Sequence, residues 1–243
     1  MSGSPVKVGV LVPTFRDDPS AAISIALEAE SLGIDGVFAY DHLWPMGHPG
    51  RPALAPFPLL GAIAASSTRL WVGTLVARVG VVPDEILVAE FAALARLAPG
   101  RVIAGLGTGD HLSANENRAY GLAFAPPDER RRAVEHCARL LLDMGLTVWV
   151  GGLARPTVAV AERTGAAANF WQASPERVAD QAGRSEVTWA GMGRPDGGSG
   201  ELDAGELIDV GRPLVEAGAS WVVLGWPTRL HELAAAAETL RAS

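Results

Sequence analysis

The residues best able to do chemistry stand together at Asp41-His42-Leu43-Trp44. A histidine trades a proton near neutral pH, and a neighbouring aspartate can fix its tautomer or raise its basicity. His42 and Asp41 are therefore candidate catalytic residues, with Asp41 as the group that orients His42, and Trp44 is a candidate substrate contact. The same residues could instead cap a turn and cover a barrel rim. Two further clusters lie downstream. Gly105-Leu106-Gly107-Thr108-Gly109-Asp110 sets glycines at alternate positions, which lets a backbone approach a ligand closely, and places Asp110 at the end of the run. Its spacing is not that of a dinucleotide fingerprint, and a tight turn is the competing reading. Val150-Gly151-Gly152, just before Arg155-Pro156, offers backbone N–H groups at a helix start, an arrangement suited to phosphate. Here a plain turn competes on equal terms.

Each cluster ends a short apolar run. Strands are expected at Val8–Val12, Gly36–Tyr40, Leu70–Val76, Arg101–Leu106, Thr147–Val150, Ala166–Trp171, Val187–Ala190 and Ser220–Leu224. Most are continuously apolar, as parallel strands buried on both faces are. Helical patterns alternate with them. One runs from Asp18-Pro19-Ser20 to Gly33, and another from Pro83-Asp84-Glu85 to Pro99-Gly100. The rest fit Pro56–Ser66, Asp128–Gly145, Pro156–Gly165, Pro175–Gly183, Ala204–Gly218 and Arg229–Ala242. Eight strand–helix pairs in order describe an α/β fold, a (β/α)8 TIM barrel, with an open doubly wound sheet as runner-up. Parallel strands deliver functional groups at their carboxyl ends, where all three clusters fall. Pro45–Pro58 and Thr108–Pro127 read as loops on that rim, and Gly191–Gly200 as a mobile glycine-rich loop.

Composition narrows the function classes. The 243 residues are 49% hydrophobic, ample for one barrel domain spanning 1–243. A net charge of −7 with no basic stripe argues against nucleic acid. Lys7 is the only lysine, in keeping with a GC-rich coding bias. Cys137 is the only cysteine, so neither an internal disulfide nor a cysteine-cluster metal site is open to the chain, and a helical apolar face makes it a structural thiol. His48, His111, His136 and His231 lack metal-ligand spacing; His111, next to Asp110, is a candidate substrate contact. With neither a signal-like start nor a membrane-length apolar run, a soluble cytoplasmic protein is expected.

Five stretches in register resemble the bacterial luciferase-like monooxygenase family, and within it the branch dependent on the deazaflavin coenzyme F420. They are Ala29 to Pro45, Thr68 to Val76, Leu97 to Asp110, Glu116 to Gly121, and Val148 to Gly152. The resemblance implies a TIM barrel and hydride transfer between F420 and a small organic substrate. It assigns His42 as acid/base and Asp41 to the cofactor face. Leu75-Val76 falls where the family carries a non-proline cis peptide against the cofactor ring, and Asp110 where a relative has a proton-donating glutamate. Gly107, Thr108 and Gly109 border the ring, and backbone N–H groups of Gly151 and Gly152 receive the cofactor phosphate. Trp44, His111 and Trp171, with Phe57, suggest an aromatic substrate pocket. The usual insertion between strands four and five is missing, which implies a compact variant with a more open mouth or an altered oligomer; a homodimer is one expectation. Ala168-Asn169-Phe170-Trp171 also stands where the family often has Asp-Gly. The rival enzyme is an FMN-dependent monooxygenase fed by a separate reductase. The rival of another class is a flavin- or deazaflavin-binding barrel without turnover.

Overall fold

A computed structural model describes residues 5–45, 47–193 and 201–242. The alternation read from the sequence is present. Strands β1 (Lys7–Leu11), β2 (Gly36–Ala39), β3 (Trp71–Thr74), β4 (Ala77–Arg78), β5 (Val102–Gly107), β6 (Thr147–Gly151), β7 (Ala167–Trp171), β8 (Val187–Gly191) and β9 (Ala219–Leu224) form one parallel sheet. The order runs β3-β2-β1-β9-β8-β7-β6-β5-β4, and a β3–β5 pairing at Val72↔Val102 closes it into a barrel. Eight staves are expected from the sequence, and β3 and β4 together make one of them. Pairing along that stave is interrupted at a cis peptide between Leu75 and Val76, beyond which Ala77 pairs with Leu106.

Around the barrel lie α1 (Ser20–Ser31), α2 (Pro56–Ser66), α3 (Asp84–Leu97), α4 (Ser113–Ala119), α5 (Pro127–Asp143), α6 (Arg155–Thr164), α7 (Pro175–Ala182), α8 (Ala204–Glu216) and α9 (Leu230–Arg241). Their punctuation explains their ends. Asp18 accepts a 2.9 Å bond from Ser20 N at the start of α1, and α8 carries a reciprocal capping box between Asp203 and Glu206. Gly165, at φ 81°, ends α6 in the left-handed conformation that a side chain disfavours. Only residues 144–146 separate α5 from β6, so no insertion stands between that helix and the fifth stave. Thr108–Pro127, expected as a loop, instead contains α4. Gly191 ends β8, and the later part of the expected Gly191–Gly200 loop, residues 194–200, lies outside the described residues.

Two cores follow from strands buried on both faces. An outer layer packs strand side chains such as Val8, Val37 and Ala104 against helical ones such as Phe91, Leu141 and Leu233. The barrel interior holds Leu11, Phe38, Ile103, Trp149 and Trp221. Phe38 stacks on Trp149 at 5.1 Å and meets the edge of Trp221 at 5.7 Å. Aromatic bulk therefore fills the barrel. At its amino end the ammonium of Lys7 lies 4.6 Å from the Trp71 ring and 5.5 Å from Trp221, a cation–π contact at the floor. The filled floor leaves the carboxyl end as the open one.

Candidate active site

That end holds a cavity of about 900 Å³, within the size range of small-molecule sites. Tyr40, Asp41 and His42 enter it from the end of β2, Leu75 and Val76 from the β3–β4 break, and Gly151 and Gly152 from β6.

His42 is tied to a residue the sequence reading left without a role. Its Nδ1 lies 2.9 Å from Glu116 Oε1, while Glu116 Oε2 accepts a 2.8 Å bond from Leu43 N and pairs with Arg78 Nη2 at 3.1 Å. Glu116 sits on α4 and its side chain is only 2% exposed. A carboxylate only accepts, so Nδ1 carries the proton and Nε2 is left with a lone pair for substrate. Asp41 does not touch His42. Its Oδ2 accepts from Arg78 N at 2.8 Å, and its carbonyl accepts from Arg78 Nε at 2.9 Å. The expectation that Asp41 orients His42 is corrected for a simple reason: neighbouring residues in extended chain point to opposite sides. Tyr40, two residues from His42, does share its side, with ring centroids 6.1 Å apart. Ser113-Ala114-Asn115-Glu116 has the S-x-x-E spacing of a helix start, which points to α4 but not to the burial of Glu116 or its bond to His42.

Burial, first of all, raises the Asp41 carboxyl above the ordinary aspartate range, with the Arg78 N–H and guanidinium offsetting only part of it. Desolvation likewise pushes the Tyr40 phenol up, so it stays neutral.

The glycines have a different purpose from the one expected. A Cβ on Gly107 would lie 2.3 Å from Val76 Cγ2, and one on Gly151 2.8 Å from Val76 Cγ1. Glycine at these positions admits the Val76 side chain rather than a ligand's approach to backbone. Leu75 and Val76 thereby form an apolar shelf in the cavity. The following loop is clamped by Arg130, which donates to the carbonyls of Thr108 and Gly109 and, through Nε, to Ala125 O at 3.0 Å. Thr108, Gly109 and Asp110 all border the cavity. Asp110 serves as a cap for α4, its Oδ1 accepting from Leu112 N at 2.9 Å and Ser113 N at 3.0 Å. Partial burial raises its pKa, but the bonds from Ser113 and Leu112 outweigh this and the net shift is downward.

Other expected site residues are placed as follows. Gly151 and Gly152 line the cavity, but the Gly152 N–H donates to Asn169 O at 3.1 Å and is not available to phosphate. The start of α6, beyond Ala154, has no side-chain cap; Pro156 carries no N–H and Thr157 N donates to Ala154 O at 2.8 Å, so the Arg155 N–H and the positive end of the helix dipole are what that side offers an anion. Trp171 borders the mouth and meets the Tyr40 ring at 6.1 Å. His111 is exposed and is not among the residues lining the cavity. Trp44 turns away from the mouth into a neighbouring cavity, where it stacks on Tyr120 at 5.9 Å. Phe57 packs edge-on against Phe91 at 4.9 Å, in the outer core. Among the described residues no group of three or more His, Cys, Asp or Glu could hold a metal ion, and no helix is long and apolar enough to cross a membrane.

The mouth thus offers an apolar shelf, flanking rings of Phe15, Tyr40 and Trp171, an uncapped helix end and one base held by a buried carboxylate. Those features fit a flat heteroaromatic ring with an anionic tail.

Residues 5–147, more than half of the chain, match the model of a family described as luciferase-like monooxygenase. An F420-dependent glucose-6-phosphate dehydrogenase of Nakamurella multipartita is 32% identical over 152 residues, covering 62% of this chain and 43% of that protein. The enzyme of the same name from Beutenbergia cavernae is 36% identical over 147 residues, covering 60% and 42%. The chain therefore matches less than half the length of these relatives. A solved F420-dependent secondary alcohol dehydrogenase, in complex with an F420-acetone adduct, superposes with a TM-score of 0.76 over 96% of this chain and 99% of that one. At 15% identity that likeness speaks for the TIM-barrel fold alone.

Proposed function

The chain belongs to the luciferase-like monooxygenase family, and on that premise we propose that it is an F420-dependent oxidoreductase acting on a small organic substrate. The observation that carries the reading is His42, hydrogen-bonded at 2.9 Å to a buried glutamate and facing a cavity with an apolar shelf. The names of its curated relatives support the choice of cofactor.

When bound, the deazaflavin supplies the hydride chemistry. The chain's own residues supply the rest. Leu75, Val76 and the ring of Trp171 present apolar surface to a planar group, and the α6 N-terminus presents the Arg155 N–H and its positive dipole end to an anion. His42 Nε2 holds or releases the proton of a substrate hydroxyl. Glu116 keeps the proton of the imidazole on Nδ1, which leaves Nε2 to exchange a proton with substrate. Arg78 compensates the buried Glu116 charge, and Asp41 fixes Arg78 from the other side. Asp110 is committed to the α4 cap with a lowered pKa, so proton exchange falls to His42.

The test is F420 reduction followed by its visible absorbance, with the purified protein and a panel of secondary alcohols and sugar phosphates. Turnover that His42→Ala abolishes while F420 binding persists supports the reading. Oxygen consumption with FMN and a separate reductase, without F420 turnover, would replace it with the monooxygenase reading. Binding without turnover of any substrate would favour a carrier.

A further inference from the structure

A second cavity, of about 600 Å³, opens beside the mouth between the segments that follow β1 and β2. We propose that it receives the anionic end, a carboxylate or phosphate, of the substrate whose reacting carbon sits at His42; this rests on reading the mouth as the reaction site.

Three observations point there. Arg16 and Arg51 both line the cavity, and neither side chain forms an ion pair or hydrogen bond with another described residue, Arg51 bonding only through its backbone N–H to His48 O at 3.3 Å. In a chain of net charge −7, two uncommitted guanidiniums facing one cavity against the single carboxylate of Asp17 make a locally cationic site. A planar guanidinium matches both carboxylate and phosphate geometry. Second, Arg16 is the one residue that lines both cavities, so the passage between them runs along its side chain. His42 faces the mouth while the adjacent Leu43 faces the side cavity. The consecutive residues His42 and Leu43 thus set the two cavities side by side. Third, the wall is built for an organic stem: the Trp44 and Tyr120 rings stack at 5.9 Å with 25° between their planes, and Leu54 lies beside them.

The cofactor's anionic tail is not the expected occupant. The anion-ready start of α6 follows the fifth stave, whereas Arg16 and Arg51 follow the first and second, on the other side of the barrel. Two anions can therefore be bound at once, one from each ligand.

Calorimetric titration of wild type and of the Arg16→Ala/Arg51→Ala double variant decides the matter, with phenyl phosphate, benzoate and neutral benzyl alcohol as probes. Both positions are exposed, so the variant keeps its fold. At least one anion should bind wild type more tightly than benzyl alcohol, and lose about tenfold in affinity for each guanidinium removed. The tighter of the two anions identifies phosphate or carboxylate as the group selected. F420 affinity, measured on the Arg51→Ala single variant because Arg16 also borders the mouth, should equal that of wild type. Anion binding that is absent in wild type or unchanged in the variant overturns the proposal. So does a parallel loss of F420 affinity, which would give the cavity to the cofactor. If wild type binds the anions but not F420, the anion site stands and the F420 reading falls.

Discussion

Glu116→Gln is the perturbation on which the catalytic geometry can be judged. One carboxylate oxygen accepts from His42 Nδ1 at 2.9 Å, and the other accepts from Leu43 N at 2.8 Å beside the Arg78 guanidinium at 3.1 Å. An amide has a single acceptor oxygen. Whichever way it turns, its NH2 faces either the His42 Nδ1 proton or the Leu43 N–H together with Arg78, and one buried donor is stranded. If His42 loses its partner, its tautomer is no longer fixed, and a loss of roughly tenfold or more in kcat follows. The whole acid/base contribution sets the ceiling, about 10²–10⁴-fold. Stability falls too. Glu116 and Arg78 are 2% and 5% exposed, so screening gives little relief, and Glu116→Ala takes the paired carboxylate from a buried guanidinium that keeps its bonds to Asp41 O and Asn117 Oδ1, at a cost of about 3 kcal/mol. For a chain of this size that is a drop in Tm on the order of 10 °C. The assay is F420 reduction for wild type, Glu116→Gln, His42→Ala and the double variant, with melting measured on each. Since Glu116 acts through His42, the double variant should be as slow as His42→Ala alone. Unchanged kcat in Glu116→Gln, or losses that multiply in the double variant, would refute the relay.

Three further outcomes follow from the geometry. Gly107→Ala places a Cβ 2.3 Å from Val76 Cγ2 and should destabilise by about 1–3 kcal/mol and weaken F420 binding together, read by melting and titration. Bonds from Arg163 and Arg139 hold the Glu135 carboxyl at about 2, below its ordinary 4.5. That stabilisation is complete above the ordinary value and lost as pH falls towards 2; Glu135→Gln should therefore cost under about 1 kcal/mol at neutral pH, and the difference in melting should shrink in acid. Burial pushes the Cys137 thiol up to about 12, so iodoacetamide should leave the folded protein unmodified and label it quickly once unfolded, as mass spectrometry would record.

The barrel was legible because its strands are short, apolar and buried on both faces, a pattern that survives without knowledge of neighbours. Less legible was whatever depends on contacts between distant segments. Helix α4 is seven residues long and polar, and what holds it is Glu116 reaching His42 across 74 positions of chain. A glutamate reads from sequence as a surface residue, and nothing local marks one as buried. Asp41 and His42, adjacent in sequence, invited a direct pairing that alternation along the chain forbids. The glycines at 107 and 151 were visible, but that they make room for Val76 depends on the break in the third stave. Trp44 reads from the sequence as a substrate contact at the mouth, yet its ring turns into the side cavity.

The most direct measurement is a fluorescence titration of the purified protein with F420 and, separately, with FMN. The account predicts saturable F420 binding, with FMN bound weakly or not at all. FMN bound in preference, or neither ligand bound, would contradict it.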